Sequence, residues 1–443
     1  MASPSTNIRL RHLSVETSGE TSDSNHENFE QEDNRESDYK AWLCVLGAIA
    51  FTMPSYGFMQ SIGTVQSYIY ENQLSNYSAG NVGWITGLYL FLSYFFNIQI
   101  GPLCDIFSPI AIGFAGIAIC IASFLLLAEC NTYWQFVLCL SVLGAIGGAT
   151  IATIALSVIA KVFTRRRGFA MGVALTGSAI GSIVFPLILR AALPDLGWQW
   201  SMRIMALAIG IVTILGLCCF LPYHGFVIVL QRHDGRGFIG TLPSLSTFRS
   251  APFVILCIGI FMLEFATFSI SGLLPTIATR SGFGATDGYL LIPVMGACSF
   301  IGRVVPGFLS DMMGPFNVLI MMIISNLVFM AALFIPFTHI SRPVLYAFAA
   351  TWGLGSGSFL SIPPVCIGKT CESEEYGRYF GASTFIVSFS VLLSIPLGGI
   401  MLDSLGVQAL AGLLGAVMFT GGICVGIARG KIAGNLFSIK LKV

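Results

Sequence analysis

Twelve apolar stretches, each long enough to cross a bilayer as a helix, organise the whole chain: 42–68, 82–102, 108–128, 134–160, 168–190, 201–221, 251–276, 288–310, 315–337, 343–366, 379–401 and 407–428. A spanning helix needs about 20 predominantly apolar residues. Inside hydrocarbon no water pairs with exposed backbone, so each such run must satisfy its own N–H and C=O groups. The pattern predicts an all-α integral membrane protein with twelve transmembrane helices. Only 10% of the residues are charged, against about 25% in a typical soluble chain, so there is too little polar surface for a water-soluble body of this size. The net charge of +1 argues against a nucleic-acid partner, which would require a basic face.

The segments outside the runs divide the chain further. Residues 1–40 carry nine acidic and four basic side chains and no periodic apolar face, which reads as a disordered tail. They begin polar, without the early apolar core of a signal peptide. A polar segment, 222–250, separates six runs (41–221) from six (251–428), and 429–443 forms a short basic tail. Most of the twelve cysteines lie in apolar runs without metal-ligand spacing and read as small hydrophobes. The sequence therefore predicts no metal and no cofactor. Lys161, Arg165, Arg166, Arg167, Arg232, Arg236, Arg249, Lys369 and Arg378 fall in connections on one side, with the basic tail; Arg190, Arg203, Arg280 and Arg342 fall on the other. Positive charge favours the cytosolic side, so both termini are expected in the cytosol. Asn76, in the sequon Asn76–Tyr77–Ser78, then lies in the first outer loop as a candidate glycosylation site.

The two halves echo each other. "GPLCD" at 101–105 closes the second run and "GFLSD" at 307–311 closes the eighth. Gly144 answers Gly353, Lys161 answers Lys369 and Pro186 answers Pro396, all at nearly one separation. Two six-helix halves related by duplication, with a site between them near mid-membrane, are a transporter architecture.

The repeated G-x-L-x-D resembles the loop signature of the major facilitator superfamily, although Ile106 and Met312 stand where a basic residue often follows the aspartate. A finer resemblance is to the fungal branch of the monocarboxylate porter family, whose fifth span opens with a pattern like Y-F-x-K-R-R-x-x-A-x-G-x-A-x-x-G. Here "VFTRRRGFAMGVALTG" matches it at Phe163, Arg165, Arg166, Arg167, Ala170, Gly172, Ala174 and Gly177. "GWQWSMRI" at 197–204 and "IPLGGIMLD" at 395–403 also resemble that family, while its first-span signature survives only as Asp38 and Trp42. The resemblance implies a plasma-membrane carrier of small organic solutes, with lipid around it and protons as a candidate coupling ion. It also implies what is altered. Gln60 stands where animal members keep a lysine and Ser299 where they keep an aspartate, whereas their eighth-span arginine remains as Arg303. A short acid dominated by its charge is thus a poorer expectation than a larger, mostly apolar molecule with one acidic or carbonyl group. Export of a secondary metabolite is the first expectation. Uptake of a monocarboxylate or a vitamin such as riboflavin is the second, and a nutrient-binding membrane sensor is the alternative of another class.

Two charges sit well inside the runs. Arg303 lies roughly 9 Å from the cytosolic end of its run at 1.5 Å per residue. It could snorkel to the interface, form a structural pair, or hold a substrate carboxylate in a bidentate fork. Glu264 lies roughly 20 Å into the seventh run, and could exchange protons, contact substrate directly, or stay protonated in a structural hydrogen bond. Substrate contact is the expectation adopted for Arg303, with proton coupling for Glu264. Tyr56, Gln60 and Asn97 are further substrate candidates, and Thr150, Thr153 and Ser361 are polar side chains of the same kind, although small hydroxyls in spans more often bond a helix backbone. Asp105, Asp311 and Arg165–Arg167 are expected to hold cytosolic loops against helix ends and so to gate. Gly144, Gly147, Gly148, Gly172, Gly177 and Gly181 read as close-packing positions. No catalytic constellation and no phosphate-cradling loop is present, so an enzyme and an ATP-driven pump are not expected.

Overall fold

The computed structural model describes residues 36–223, 245–282, 285–337 and 341–434. Ten long helices carry them: α1 (Tyr39–Glu71), α2 (Gly80–Ile106), α3 (Pro109–Ala128), α4 (Tyr133–Val162), α5 (Arg167–Phe220), α6 (Ala251–Arg280), α7 (Ala285–Met313), α8 (Pro315–Phe334), α9 (Arg342–Ile367) and α10 (Tyr376–Ala433). Nine of the helices among the described residues are long and apolar enough to cross a membrane; α9 is not one of the nine. Two of the nine are double length. α5 folds back at Gly197 (φ 69°) and α10 at Gly406 (φ 81°), where a left-handed backbone suits the residue without a Cβ. The fifth and sixth predicted runs therefore lie on the two arms of α5, and the eleventh and twelfth on the two arms of α10.

The helices form because their sequences are apolar on all sides, as hydrocarbon and a crowded bundle both require. Leu207, Phe308, Ile400 and Phe419 are among the many large apolar side chains left exposed. In water such a girdle would drive aggregation, whereas in lipid it is the solvent contact. Local departures from α geometry have identifiable causes. Pro54 opens a π-helical turn over Met53–Gly57 within α1, a distortion that often marks functional positions.

Within the first half, α1 and α3 pack on α5; within the second, α6 packs on α10 and α7 on α9. The halves meet chiefly where α5 lies on α7 and α2 lies on α10. Glycine makes both meetings close. A Cβ on Gly172 would run into the carbonyl oxygen of Arg303, and one on Gly381 into that of Asn97. One turn earlier, Gly168 faces Gly307 and Gly377 faces Gly101, so each crossing is backbone on backbone. Small residues four apart are the usual means for helices to approach this closely in membranes.

The tail expected at 1–40 lies outside the described residues as far as position 35. Glu36 is fully buried. Its carboxylate accepts from the backbone N–H groups of Thr164 (2.6 Å), Arg165 (2.7 Å) and Arg166 (3.1 Å). Those three amides at the turn into α5 need an acceptor, and Glu36, just ahead of α1, supplies it.

Candidate functional site

At the end of the bundle that carries Arg165–Arg167, two carboxylates join the halves. Asp105, near the last turn of α2, accepts from the backbone N–H groups of Gly377 (3.0 Å) and Arg378 (2.7 Å) at the start of α10. Asp311, near the last turn of α7, accepts from Gly168 (2.7 Å) and Phe169 (2.8 Å) at the start of α5. A helix N-terminus presents unpaired amides and the positive end of the helix dipole, so an anion placed there is held by both. Asp105 also pairs with Lys161 at 3.2 Å, both side chains being buried. Lys161 in turn donates to the carbonyl of Cys104 at 3.2 Å.

Arg167 crosses the same seam without a carboxylate. Its guanidinium donates to the carbonyls of Phe163 (3.0 Å) and Ala160 (2.7 Å) in its own half, and to Gly368 O (2.9 Å) and Ser373 Oγ (3.0 Å) in the other. A five-donor fork fits such a set of acceptors, and a lysine does not. Arg165 and Arg166 are exposed. The three arginines are therefore not equivalent: the last one clamps the halves, while the first two offer backbone amides to Glu36.

Between the ends, a cavity of about 40 Å³ opens where the halves face each other. At roughly 10–15 Å³ per water on this scale it has room for about three waters. Tyr56, on the π-helical turn of α1, and Tyr94, on α2, stand on one side with ring centroids 6.3 Å apart. Glu264 from α6 and the tandem prolines Pro363 and Pro364 from α9 line the other. Glu264 is 8% exposed and receives no hydrogen bond from the described residues.

The remaining candidates separate by contact. Arg303 is 2% exposed, so it does not reach out to the interface. Its Nη1 donates to the carbonyl of Leu175 at 3.2 Å, Leu175 itself lines the cavity, and Arg303 Nε has no partner among the described residues. Arg303 therefore sits at the α5–α7 crossing, immediately behind the cavity wall. Asn97 stands at the matching α2–α10 crossing. Its side chain is committed within its own half, donating to Ser93 O at 3.0 Å and accepting from Thr153, and it does not line the cavity. Gln60 is exposed one turn beyond Tyr56 and is likewise outside that wall. Thr150 and Ser361 bond their own helices. Asn76 is exposed on the turn between α1 and α2.

The comparisons with known proteins agree with this arrangement. Over 94% of its length the chain is 28% identical to a riboflavin transporter of Saccharomyces cerevisiae, covering 84% of that protein. It is 31% identical over 83% of its length to the transporter opdF of Penicillium oxalicum, covering 84% of it. An aspyridones efflux protein of Emericella nidulans is 29% identical over 87% of this chain and is covered to 76%. The fold matches the crystal structure of the human organic anion transporter TETRAN with a TM-score of 0.66, over 88% of this chain and 99% of that one, at 13% identity. Residues 43–387 match the sequence profile of the Major Facilitator Superfamily, and with a bundle of two packed halves, paired crossings and a cavity between them, the chain belongs to that superfamily of membrane transporters.

Proposed function

We propose that this transporter exports a small, largely apolar organic solute bearing one acidic or carbonyl group, by alternating access between the two halves. One observation carries the reading: backbone-capping carboxylates on both crossings tie the two halves together at the basic end. A cavity of about 40 Å³ is too small for such a solute, so loading requires the halves to part. The contacts that must break are these caps and the Arg167 clamp.

In this reading the chain crosses a plasma membrane twelve times, in two six-helix halves at 41–221 and 251–428, with 1–40, 222–250 and 429–443 in the cytosol. Asp105, Asp311 and Arg167 then close the cytosolic side. Arg303 meets the acidic or carbonyl group once the halves part, Tyr56 and Gln60 contribute to the same passage, and Glu264 carries a proton. Asn97 supports this passage through Thr153. Asn76 lies outside, where it is open to glycosylation; a mobility shift on endoglycosidase treatment, lost in Asn76→Gln, tests that point. The similarity to an aspyridones efflux protein favours export. The similarity to a riboflavin transporter favours uptake as the second reading. Metabolite profiling of a deletion strain, inside and outside the cell, separates them. Accumulation of a cell-made compound inside supports export; loss of riboflavin or short-monocarboxylate uptake with no internal accumulation overturns it.

A further inference from the structure

Among the described residues no Lys, Arg or His lines the cavity, and the hydroxyls of Tyr56, Tyr94 and Ser383 in its wall do not donate to Glu264. Glu264, more than nine-tenths buried, presents two carboxyl oxygens to it with no donor from the described residues. The tandem prolines of α9 add to the imbalance. A helical carbonyl at position i accepts from the N–H at i+4, and proline has none. Pro363 and Pro364 therefore remove the donors due to the carbonyls of Phe359 and Leu360, and Leu360 meets proline at i+3 as well. Both residues line the same cavity. The hydroxyl of Thr384, also in the wall, spends its proton on the carbonyls of Phe380 and Gly381 and turns only lone pairs outward. Buried acceptors without donors are costly, and backbone carbonyls freed at a helix break are a recurrent way of building a transport site.

We propose that this cavity is the seat for a hydrogen-bond-donating nitrogen of the transported solute: an N–H placed on the Glu264 carboxyl group, with the Phe359 and Leu360 carbonyls around it and the rings of Tyr56 and Tyr94 alongside. The proposal rests on the transport reading and adds a chemical class to it. The nitrogen can belong to a neutral ring imide or to a protonated amine, since both offer the same donor.

Matched probes test it on the full-length protein purified in detergent. Riboflavin is compared with 3-methylriboflavin, in which the imide N–H is replaced by N–CH3, and tyramine with its N,N,N-trimethyl derivative, which keeps the charge but not the donor. Binding is read as the ligand-dependent rise in unfolding temperature. The expected result is that at least one N–H probe binds and that its methylated partner binds about tenfold more weakly or worse, because a buried acceptor loses its donor. A preference in the first pair assigns a ring imide; in the second, a protonated amine. The preference should shrink in the near-isosteric Glu264→Gln and vanish in Glu264→Leu. Equal binding of both members of each pair, or binding of none of the four, overturns the proposal, and the comparison in unaltered protein needs no variant to fold. Counterflow of the bound probe in proteoliposomes keeps the two readings apart. Movement without N–H preference refutes the nitrogen seat and leaves transport standing, whereas preferential binding with no saturable movement upholds the seat and counts against transport.

Discussion

Replacing Asp311 by Asn should open the basic end of the transporter. The side chains differ by one oxygen against one NH2, so packing at the α5–α7 crossing is preserved. The Asp311 carboxylate accepts from two main-chain amides, Gly168 at 2.7 Å and Phe169 at 2.8 Å. The amide keeps one acceptor and turns an N–H against the other amide. Hydrogen bonds to a charged group contribute about 1.5–3 kcal/mol each, and an anion at a helix N-terminus about 0.3–1 kcal/mol. Losing one bond and the charge thus weakens the closed state by about 2–4 kcal/mol. At tenfold per 1.4 kcal/mol this is a shift of about 30- to 700-fold toward the open state. The assay is the distance between nitroxide labels on Phe107→Cys and Met313→Cys, exposed positions beside the two carboxylates and in different halves, measured by pulsed electron resonance after the twelve native cysteines are replaced. Wild type should give one short distance, and Asp311→Asn a dominant longer one. An unchanged distribution in folded protein would refute the view that the cap holds the halves closed.

Four other predictions probe the remaining parts. Arg303→Ala should cut transport of an anionic solute by at least about tenfold at equal surface abundance, with Arg303→Lys recovering only part because the fork is lost; transport assays on intact cells decide it. Glu264→Gln should flatten the dependence of net flux on pH while exchange of labelled for unlabelled solute remains measurable, and an unchanged pH profile would refute proton carriage by Glu264. Gly172→Ala should force α5 from α7 and destabilise by about 1–3 kcal/mol, whereas Gly148→Ala, whose Cβ would meet only Tyr89 Oη at 3.7 Å, should be near neutral; thermal unfolding of the two compares them. Asp105→Asn should be the most damaging of the set, since it leaves the buried Lys161 unpaired at a cost of about 3–5 kcal/mol, and Lys161→Met in the same chain should restore much of the melting temperature.

What could be read in the sequence was what repeats. Asp105 and Asp311 stand at matching places in two copies of one pattern, and both cap a helix of the other half. Gly172, Gly177 and Gly181 were legible as packing positions because glycine spaced through an apolar helix has few other uses, and each faces backbone in the structure. Residues whose role depends on a distant partner were not. Glu36 is one carboxylate among nine in a polar segment, and the amides it caps lie 128 to 130 residues away. Arg165, Arg166 and Arg167 look alike in sequence; only the fold turns the third inward. Asn97 was a substrate candidate as an uncharged polar side chain inside a run, and in the fold it donates to Ser93 and accepts from Thr153 on α4. Tyr94 carried no signal, being one aromatic residue in a run of them. Pro363–Pro364 did carry one, since two consecutive prolines inside a helix-length apolar run imply freed carbonyls somewhere.

The two caps have an unequal heredity. On one side of each stands a single carboxylate, which one codon change removes. On the other stand main-chain amides, which nineteen of the twenty residues supply alike and only proline lacks. At Gly168 substitution is barred further, because any Cβ would collide with Ser310 and with the carbonyl of Gly307. A lineage under pressure to loosen the closed state can therefore do so at Asp105 or Asp311, or by placing proline at Phe169, where the first turn of a helix tolerates it. Suppressors of an aspartate lost there should be sought outside the capped turn, because main-chain amides leave no reciprocal side chain to change.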